Sequence, residues 1–381
     1  MNKQLVEITN KALDAKIWEF LGSNDIFAVE KDGVRYYIYC SNTEIPLSIR
    51  VMKGEKQLKS LTSLFDFDDT QKTDMENFEN FMTLECMELN LFLPVDMEED
   101  TKREIEAQGF SIKDQSYSPL FSVAEKNTLR RNLVADEEIT LTAILNALIE
   151  SKKYFSAFGK TSATSSFQSW FDSLNLKDSD KVDYIPLAKI EGSEVSFVAE
   201  PFDWYSLAPS KKDLPLIEVP APMVEEVKKA KKLKSAIYDF EIYLLPAPFS
   251  EDENSKPQYP YAFLLTDKKT KEIIDLQLEF DLLKEMKTYP VIILDVFAKN
   301  GKPQAIHCYS ERSYNYLSGV LKGCDINIMQ ESMSDEYMDF ALQLPHLLQA
   351  GGKTHDHSEH EGHDCSSEGC DDCGCGCDDC Q

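Results

Sequence analysis

The sequence predicts an α+β protein made of two mixed α/β modules with largely antiparallel sheets, followed by a disordered tail. Strand-sized runs and helical periodicities alternate in an order that favours α+β, although a partly parallel sheet in the second module stays open. The 381 residues, 42% of them hydrophobic, suffice for two domains that each bury a core. Shifts in composition predict domains at 1–157 and 181–349, a linker or covering loop at 158–180, and a flexible acidic tail at 350–381.

The first domain is predicted to begin with a helix that Gly22 ends and to continue as a small sheet. The apolar stripe of this helix consists of Leu13, Ile17, Trp18 and Leu21. Strands are predicted at 25–30, 34–40, 46–53 and 84–93. The Asp32-Gly33 step favours a tight hairpin between the first two strands, and residues 65–83 are predicted as a surface excursion.

Two further helices are predicted in this domain. Residues 98–108 form the first, which ends at Gly109, and residues 137–155 form the second. The long helix carries acidic residues at its start and Lys152 and Lys153 near its end, as the helix dipole favours. Its buried stripe is predicted to be Leu141, Ile144, Leu145 and Leu148.

The second domain is predicted to be irregular at first and better ordered afterwards. Nine of the 16 prolines lie between 201 and 260, which leaves room for little beyond a Lys-rich helix at 224–235 and a strand at 238–245. Further strands are predicted at 261–266, 272–278, 290–298, 303–310 and 324–330. Asn300-Gly301 favours a type I′ hairpin. A helix capped by Ser313 would end at Gly323, and another, at 334–344, would end before Pro345.

Charge and hydropathy narrow the classes of partner. The chain carries 40 Lys+Arg against 67 Asp+Glu, a formal net charge of −27. Because binding to phosphates requires clustered Lys and Arg, we expect neither a nucleic-acid nor an anionic-membrane partner. No apolar run approaches the ~18 residues of a spanning helix, and the first 15 residues are too charged for a signal peptide. The sequence therefore predicts a cytoplasmic protein.

Several segments resemble an uncharacterised bacterial family of two successive modules. The segments similar to its first module are 16–39 (KIWEFLGSNDIFAVEKDGVRYYIY), 48–53 and 137–149. Those similar to the module that follows are 238–248, 260–267 and 290–330. Members of that family often end in a SEC-C-type zinc-binding tail, so the resemblance implies a zinc-binding C-terminus and no assigned activity. The tail here is richer in cysteine than that pattern and is preceded by histidines.

The C-terminal tail contains a dense cluster of cysteine and histidine residues, which are side chains that bind metal ions. Residues 351–381 hold six of the ten cysteines and four of the six histidines, and they include no aliphatic residue and no Phe, Tyr or Trp. Residues 370–380 read CDDCGCGCDDC, a palindrome about Cys375 that combines C-x-x-C and C-x-C spacings. Such thiolates can chelate one ion, and the glycines allow sharp turns between them. The predicted metal ligands are His355, His357, His360, His363, Cys365, Cys370, Cys373, Cys375, Cys377 and Cys380.

Ligand chemistry selects the expected metal. Thiolates favour Zn(II), Cu(I) or Cd(II), and the imidazoles keep Ni(II) and Cu(II) open, so zinc is the expected ion with Cu(I) or Ni(II) as alternatives. Ten ligands could fill two four-coordinate sites or build a thiolate-bridged cluster. The remaining cysteines, Cys40, Cys86, Cys308 and Cys324, are single residues in apolar or strand-like stretches.

We therefore expect a non-enzymatic binding or adapter protein that recognises a protein partner and carries a soft-metal tail, with no catalytic or organic-cofactor residues assigned. One alternative is metal storage or sensing by a metallothionein-like tail on a carrier. Another is a hydrolase or nuclease-like enzyme centred on the second domain, with Asp295, His307 and Glu311 on one wall of a cleft. Adjacent strand residues point to opposite faces, so His307 and Cys308 are not expected to pair as base and nucleophile.

A run of lysines stands out on this acidic chain. Its members are Lys228, Lys229, Lys231, Lys232 and Lys234. The stripe of Val224, Val227 and Leu233 predicts a helix lying on the body with its lysines in solvent. The alternative is a face that binds an anion or a partner.

Overall fold

The computed structural model describes residues 1–21, 25–41, 46–62, 74–113, 116–158, 163–174, 176, 183–203, 205–207, 217–250 and 255–351. These residues form an α+β protein with two mixed sheets of seven and five strands. This confirms the predicted fold class. The tail predicted at 350–381 lies, from residue 352 onwards, outside the described residues.

The first sheet has the strand order β5-β4-β3-β2-β1-β6-β7. Its strands are β1 (Ile26–Lys31), β2 (Val34–Ser41), β3 (Leu47–Lys53), β4 (Cys86–Phe92), β5 (Ser118–Ala124), β6 (Asp183–Glu191) and β7 (Glu194–Phe202). Neighbours are antiparallel except β1 and β6, which run parallel. Asp32 and Gly33 both have positive φ, of 52° and 73°, so the hairpin predicted between β1 and β2 is confirmed.

Helices cover both faces of this sheet. They are α1 (Lys3–Ala15), α2 (Ile17–Phe20), α3 (Gly54–Thr62), α5 (Glu99–Ala107), α6 (Ala135–Phe155) and α7 (Ala163–Ser173). The predicted stripe of α6 is buried in the main core, where α1, α2 and α7 also pack. The helix α3 lies on the other face, through Leu58 and Leu61.

The second sheet has the strand order β10-β9-β8-β11-β12. Its strands are β8 (Lys232–Leu244), β9 (Tyr261–Asp267), β10 (Ile273–Glu279), β11 (Lys302–Cys308) and β12 (Asn327–Gln330). The first three are antiparallel, whereas β11 runs parallel to both β8 and β12. The parallel part that the sequence left open is therefore present.

Helices also cover both faces of the second sheet. They are α4 (Asp74–Met82), α8 (Ala221–Lys229), α9 (Leu282–Asn300), α10 (Glu311–Val320) and α11 (Asp335–Gly351). The helices α8, α9 and α10 pack against one face together with Ile306 and Cys308 of β11. The helix α11 covers the opposite face with Tyr337, Ala341 and Leu344. Among the described residues, no helix combines the length and the apolarity needed to cross a bilayer.

In the first half of the chain, the structure corrects several predicted elements. The opening helix is interrupted at Lys16, whose φ of 48° separates α1 from α2. Within the predicted excursion at 65–83, residues 74–82 form α4, because Met75 and Met82 are buried. Within the predicted linker at 158–180, residues 163–173 form α7, and the strand β5 had no counterpart among the predicted elements.

The strand pairing also bears on the predicted domain limits. The segment 183–202, placed in the second domain by the sequence, forms β6 and β7 of the first sheet. The pairing of β1 with β6 is long-range and leaves no local sequence signal. As a division into domains, the limits 1–157 and 181–349 stay a prediction.

In the second half, the predicted strand at 290–298 is wrong because this stretch belongs to α9. An apolar, β-branched run of this length does not distinguish a strand from a buried helix. Its buried residues recur with helical spacing, namely Met286, Tyr289, Pro290, Ile293, Leu294 and Phe297. The N-cap of the helix is Asp281, whose side chain accepts hydrogen bonds from the backbone N–H groups of residues 283 and 284.

The predicted hairpin at Asn300-Gly301 is wrong for a related reason. Gly301 ends α9 with a φ of 97°, and its N–H donates to the carbonyl of Phe297 (3.1 Å). A Cβ at Gly301 would lie 2.8 Å from the carbonyl oxygen of Lys231, so only glycine fits this junction. Helix α9 therefore connects directly to β11.

The last corrections concern helix ends. The N-cap of α10 is Ser310, not Ser313, and α11 continues through Pro345 to Gly351. The Lys-rich helix ends at Lys229, because β8 begins at Lys232 in place of the predicted helical residues 232–235.

Candidate functional site

The ten predicted metal ligands of the tail lie outside the described residues. Within the described ranges, no group of three or more His, Cys, Asp and Glu residues is arranged to hold a metal ion. The metal assignment for the tail therefore remains a prediction from its sequence.

The three residues of the enzyme alternative lie on different elements. Asp295 lies on α9 and forms an exposed ion pair with Lys299 (2.7 Å). His307 projects from the face of the second sheet opposite to the one that α9 covers. Glu311 is exposed in the first turn of α10, which packs on the α9 side. The sheet therefore separates His307 from Asp295, and the three side chains do not line one wall.

The structure instead brings together polar side chains that the sequence reasoning did not single out. Asp239 and Glu241 lie two residues apart on the central strand β8, so both point to the face covered by α11. Both are buried, with 0% and 2% exposure. The segment YDFEIY, in which acidic and apolar residues alternate, is the sequence pattern that could have indicated these two buried carboxylates. A charge on the inner side of a buried strand requires partners. We call this set of side chains and their neighbours the polar face.

Glu241 is bonded to the junction between β11 and α10. One carboxylate oxygen accepts hydrogen bonds from the backbone N–H groups of Tyr309 (2.9 Å) and Ser310 (3.1 Å). The other accepts from the hydroxyls of Ser310 and Ser313, the latter at 2.7 Å. Burial raises the pKa of Glu241, although these four donors partly offset the effect. This carboxylate therefore fixes the start of α10 relative to the central strand.

Asp239 occupies the middle of the polar face. In the strand register it is paired with Thr266 of β9 on one side and His307 of β11 on the other. It accepts a hydrogen bond from the Tyr309 hydroxyl (2.8 Å) and forms an ion pair with Lys271 (3.1 Å). The lysine and the hydroxyl thus compensate the buried charge.

His307 extends the polar face towards β12. Its Nδ1 atom contacts the Lys268 ammonium and lies 2.8 Å from Glu331 Oε2, and Lys268 also donates to Glu331 (2.8 Å). The hydrogen bond from Lys268 lowers the pKa of Glu331. The described residues provide no hydrogen-bond partner for His307 Nε2, Thr266 Oγ1 or the hydroxyls of Tyr243 and Tyr337, all of which are buried on this side. Such atoms cost about 1–3 kcal/mol each.

Arg312 connects this region to α4. Its guanidinium donates to both carboxylate oxygens of Glu79 (2.7 and 2.9 Å) and to the carbonyl of Ile242 (2.6 Å). Burial alone would lower the pKa of Arg312, but the adjacent Glu79 carboxylate outweighs this and raises it. A cavity of about 200 Å³ opens here, lined by Glu76, Glu79, Asn80, Ser310 and Arg312.

The hydrogen bonds of the polar face indicate a structural role for its side chains and not a catalytic one. The Ser310 hydroxyl faces the Glu241 carboxylate, as in a nucleophile–base pair, but it also accepts from the N–H of Ser313 (3.1 Å) as the N-cap of α10. Burial raises the pKa of the Cys308 thiol well above its usual range, which suppresses the reactive thiolate. The polar groups therefore bind mainly one another and fix strands to helices.

Two family models match this α+β chain. Residues 3–171 match the model described as a domain of unknown function (DUF7309), and residues 223–340 match a second domain of unknown function (DUF6930). The chain therefore contains two successive domains of unknown function, which confirms the two modules implied by the resemblance. Neither match extends into the tail. No curated protein matches the chain, and no solved structure matches it.

Proposed function

We propose that the protein is a non-enzymatic binding or adapter protein whose C-terminal tail binds a soft metal, with zinc as the expected ion. The observation that carries the proposal is the density of ligands, since ten Cys and His residues fall between residues 355 and 380. A segment without apolar side chains gains nothing from burying cysteines, whereas metal coordination uses each thiolate and imidazole.

The described part of the chain supports a binding role over catalysis. Asp239, Glu241 and His307 bond to neighbouring side chains or backbone under α11, and Asp295 lies on the other side of the sheet. Catalysis requires such groups to converge on one substrate position. A two-sheet body with a ligand-rich tail fits a protein that holds a partner and a metal ion.

The metal part is tested by substitution within the tail. After reduction and dialysis at neutral pH, the full-length protein should retain about one to two equivalents of zinc, because ten ligands fill up to two tetrahedral sites. Replacing Cys370, Cys373, Cys377 and Cys380 with Ser should remove most of the tight binding. A matched variant that replaces Asp371, Asp372, Asp378 and Asp379 with Asn should retain it, since these carboxylates are not required as ligands.

Cobalt substitution provides the direct spectroscopic measurement. Tetrahedral thiolate coordination should give intense charge-transfer and d–d absorption in the wild-type and Asp→Asn proteins, but not in the Cys→Ser protein. If the reduced wild-type protein retains no metal and shows no such absorption, the metal-binding proposal is wrong. Uptake of Cu(I) into a multinuclear thiolate cluster would favour the storage alternative instead.

The adapter part is tested by affinity capture from native cells with the full-length protein as bait. A defined protein partner should be recovered at a fixed stoichiometry, identified by mass spectrometry. A sustained hydrolytic activity that is lost on replacing His307 would contradict the non-enzymatic assignment.

A further inference from the structure

The surface where α8 ends and the central strand β8 begins is basic, although the chain as a whole carries a net charge of −27. Lys229, Lys231, Lys232 and Lys234 are exposed where α8 ends and β8 begins, and we call these four residues the basic edge. No ion pair joins any of the four to another described residue, whereas neighbouring Lys228 pairs with Glu225 (2.6 Å).

The local fold holds these four lysines close together. The N–H of Ala230 ends α8 by donating to the carbonyl of Glu226 (3.0 Å), and β8 starts two residues later. Lys302 of β11 is buried beside them and donates to the carbonyls of Lys228 (3.0 Å) and Cys324 (3.2 Å). This buried lysine connects the start of β11 to the end of α8, so the short segment that carries the four exposed lysines is held against the sheet.

We propose that the basic edge binds the acidic C-terminal segment of the same chain, residues 356–379. Residues 352–381 contain nine Asp and Glu residues and one Lys. Because this segment has no apolar side chains, the contact is one between charges. It involves the carboxylates and does not depend on the proposed metal ligands.

Chain length and charge both favour residues 356–379 as the segment that binds the basic edge. Twenty residues beyond Gly351 span up to about 70 Å when extended, whereas β8, with 13 residues, is about 43 Å long. The segment can therefore reach either end of the sheet. A tethered partner also acts at an effective concentration in the millimolar range. A nucleic acid would be repelled by the rest of this acidic chain.

Carbodiimide crosslinking tests the contact, because it joins a lysine directly to a carboxylate. The full-length protein is used dilute and at low salt, with its tail thiols capped by N-ethylmaleimide so that they cannot bind metal. We expect amide links between the basic edge and residues 356–379, with a yield that falls severalfold at about 1 M salt, where the Debye length is ~3 Å. A mixture of ¹⁵N-labelled and unlabelled protein should give links within one chain only.

Two charge-reversal variants with the same net charge provide the comparison. K229E/K231E/K232E/K234E should reduce the yield of tail crosslinks severalfold. The control reverses four exposed lysines elsewhere, namely Lys11, Lys126, Lys256 and Lys287, and should leave the yield unchanged. Equal loss in both variants would show a non-specific charge effect and overturn the proposal.

Truncation gives an independent measurement. In a chain that ends at Gly351, acetylation of the four lysines by a soluble reagent should become severalfold faster than in the full-length protein. Unchanged acetylation rates, or crosslinks that join labelled to unlabelled chains, would overturn the proposal, and the latter would make a second copy the occupant. Because the thiols are capped in the crosslinking experiment, its outcome does not depend on whether the tail thiolates bind metal.

Discussion

Glu241 shows how burial in the polar face changes the protonation of a single carboxylate. It is buried on the central strand, and in the described part of the chain its four hydrogen-bond donors all lie at the start of α10. A buried carboxylate with four donors is tolerated, but burial still favours its protonated form and raises its pKa. This shift makes the stability of the fold depend on pH in a defined direction.

Replacing Glu241 with Gln tests that direction. The pKa of a glutamate in the unfolded chain is about 4.3, so the raised pKa in the fold means that the native state binds more protons above this pH. The contribution of Glu241 to stability is therefore present below about pH 4.3 and is lost as the pH rises through the folded pKa. In urea titrations, the stability of E241Q relative to wild type should therefore rise between pH 4.5 and 7.5. A relative stability that falls over this range would contradict the assignment.

The cysteines provide a second test at this scale. Cys40, Cys86, Cys308 and Cys324 are buried, and burial raises the pKa of Cys86, Cys308 and Cys324. We expect a thiol reagent to modify only the six tail cysteines of the native reduced protein, because the buried thiols are neither accessible nor ionised. Mass spectrometry should count six added groups before unfolding and ten after it. Rapid modification of a buried cysteine would show that the body opens readily.

At the scale of elements, α7 shows how packing defines a helix that its sequence barely indicates. Phe167 and Trp170 are 4% and 2% exposed, and the Trp170 ring meets Phe155 of α6 at a centroid distance of 4.9 Å. Serines and threonines before these residues suggest a loop. The aromatic contacts provide the burial that makes the helix stable in this position.

Replacing Trp170 with Ala should therefore destabilise the protein as a core substitution does. We expect a loss of about 3–5 kcal/mol, because the change leaves a cavity in the main core. The control is Leu174→Ala at the end of the same segment, where the side chain is 43% exposed and the cost should be under about 0.5 kcal/mol. Equal effects in urea unfolding would mean that α7 does not belong to the core.

At the scale of the whole molecule, the Glu79–Arg312 pair joins segments that are distant in sequence. Glu79 belongs to α4, within the first family match, whereas Arg312 lies within the second. The Tyr261 hydroxyl also donates to Glu79 (3.2 Å), and Met82 and Phe78 pack into the core of the second sheet. The two sheets are thus connected by α4 as well as by the chain between them.

Glu79→Gln should weaken this connection. Removing the charge from a bidentate, partly buried partner of Arg312 should cost about 1.5–3 kcal/mol. Asp295→Asn, which breaks an exposed pair with Lys299, should cost no more than about 1 kcal/mol. Amide hydrogen exchange should show the larger increase in α4 and α10 for E79Q. Similar exchange in both variants would indicate that the pair does not hold the sheets together.

Removing the tail should leave the body intact. A chain ending at Gly351 loses no apolar contact, so its melting temperature should change by no more than about 2–4 °C. A chain ending at Glu336 loses the buried Tyr337, Ala341 and Leu344 and should lose cooperative unfolding. Calorimetry distinguishes the two, and a large shift for the first truncation would show that the tail contributes to the core.

Features that depend on local patterns can be predicted from the amino-acid sequence. The α+β class, the hairpin at Asp32-Gly33, the stripe of α6 and the strands β1 to β4, β9 and β10 follow from periodicity and turn chemistry. The ligand-rich composition of the tail is likewise a property of the sequence alone. Each of these signals lies within a short stretch of chain.

The other features become visible only in the folded chain, because they depend on residues that are far away in sequence. The run at 290–298 became helix α9 since one side of it packs on the second sheet, and β6 joined the first sheet by pairing with β1. The polar face arose in the same way: Asp239 and Glu241 are compensated by residues 32 and more positions away. Burial and long-range pairing select among local conformations of similar energy, and neither can be read from a window of a few residues.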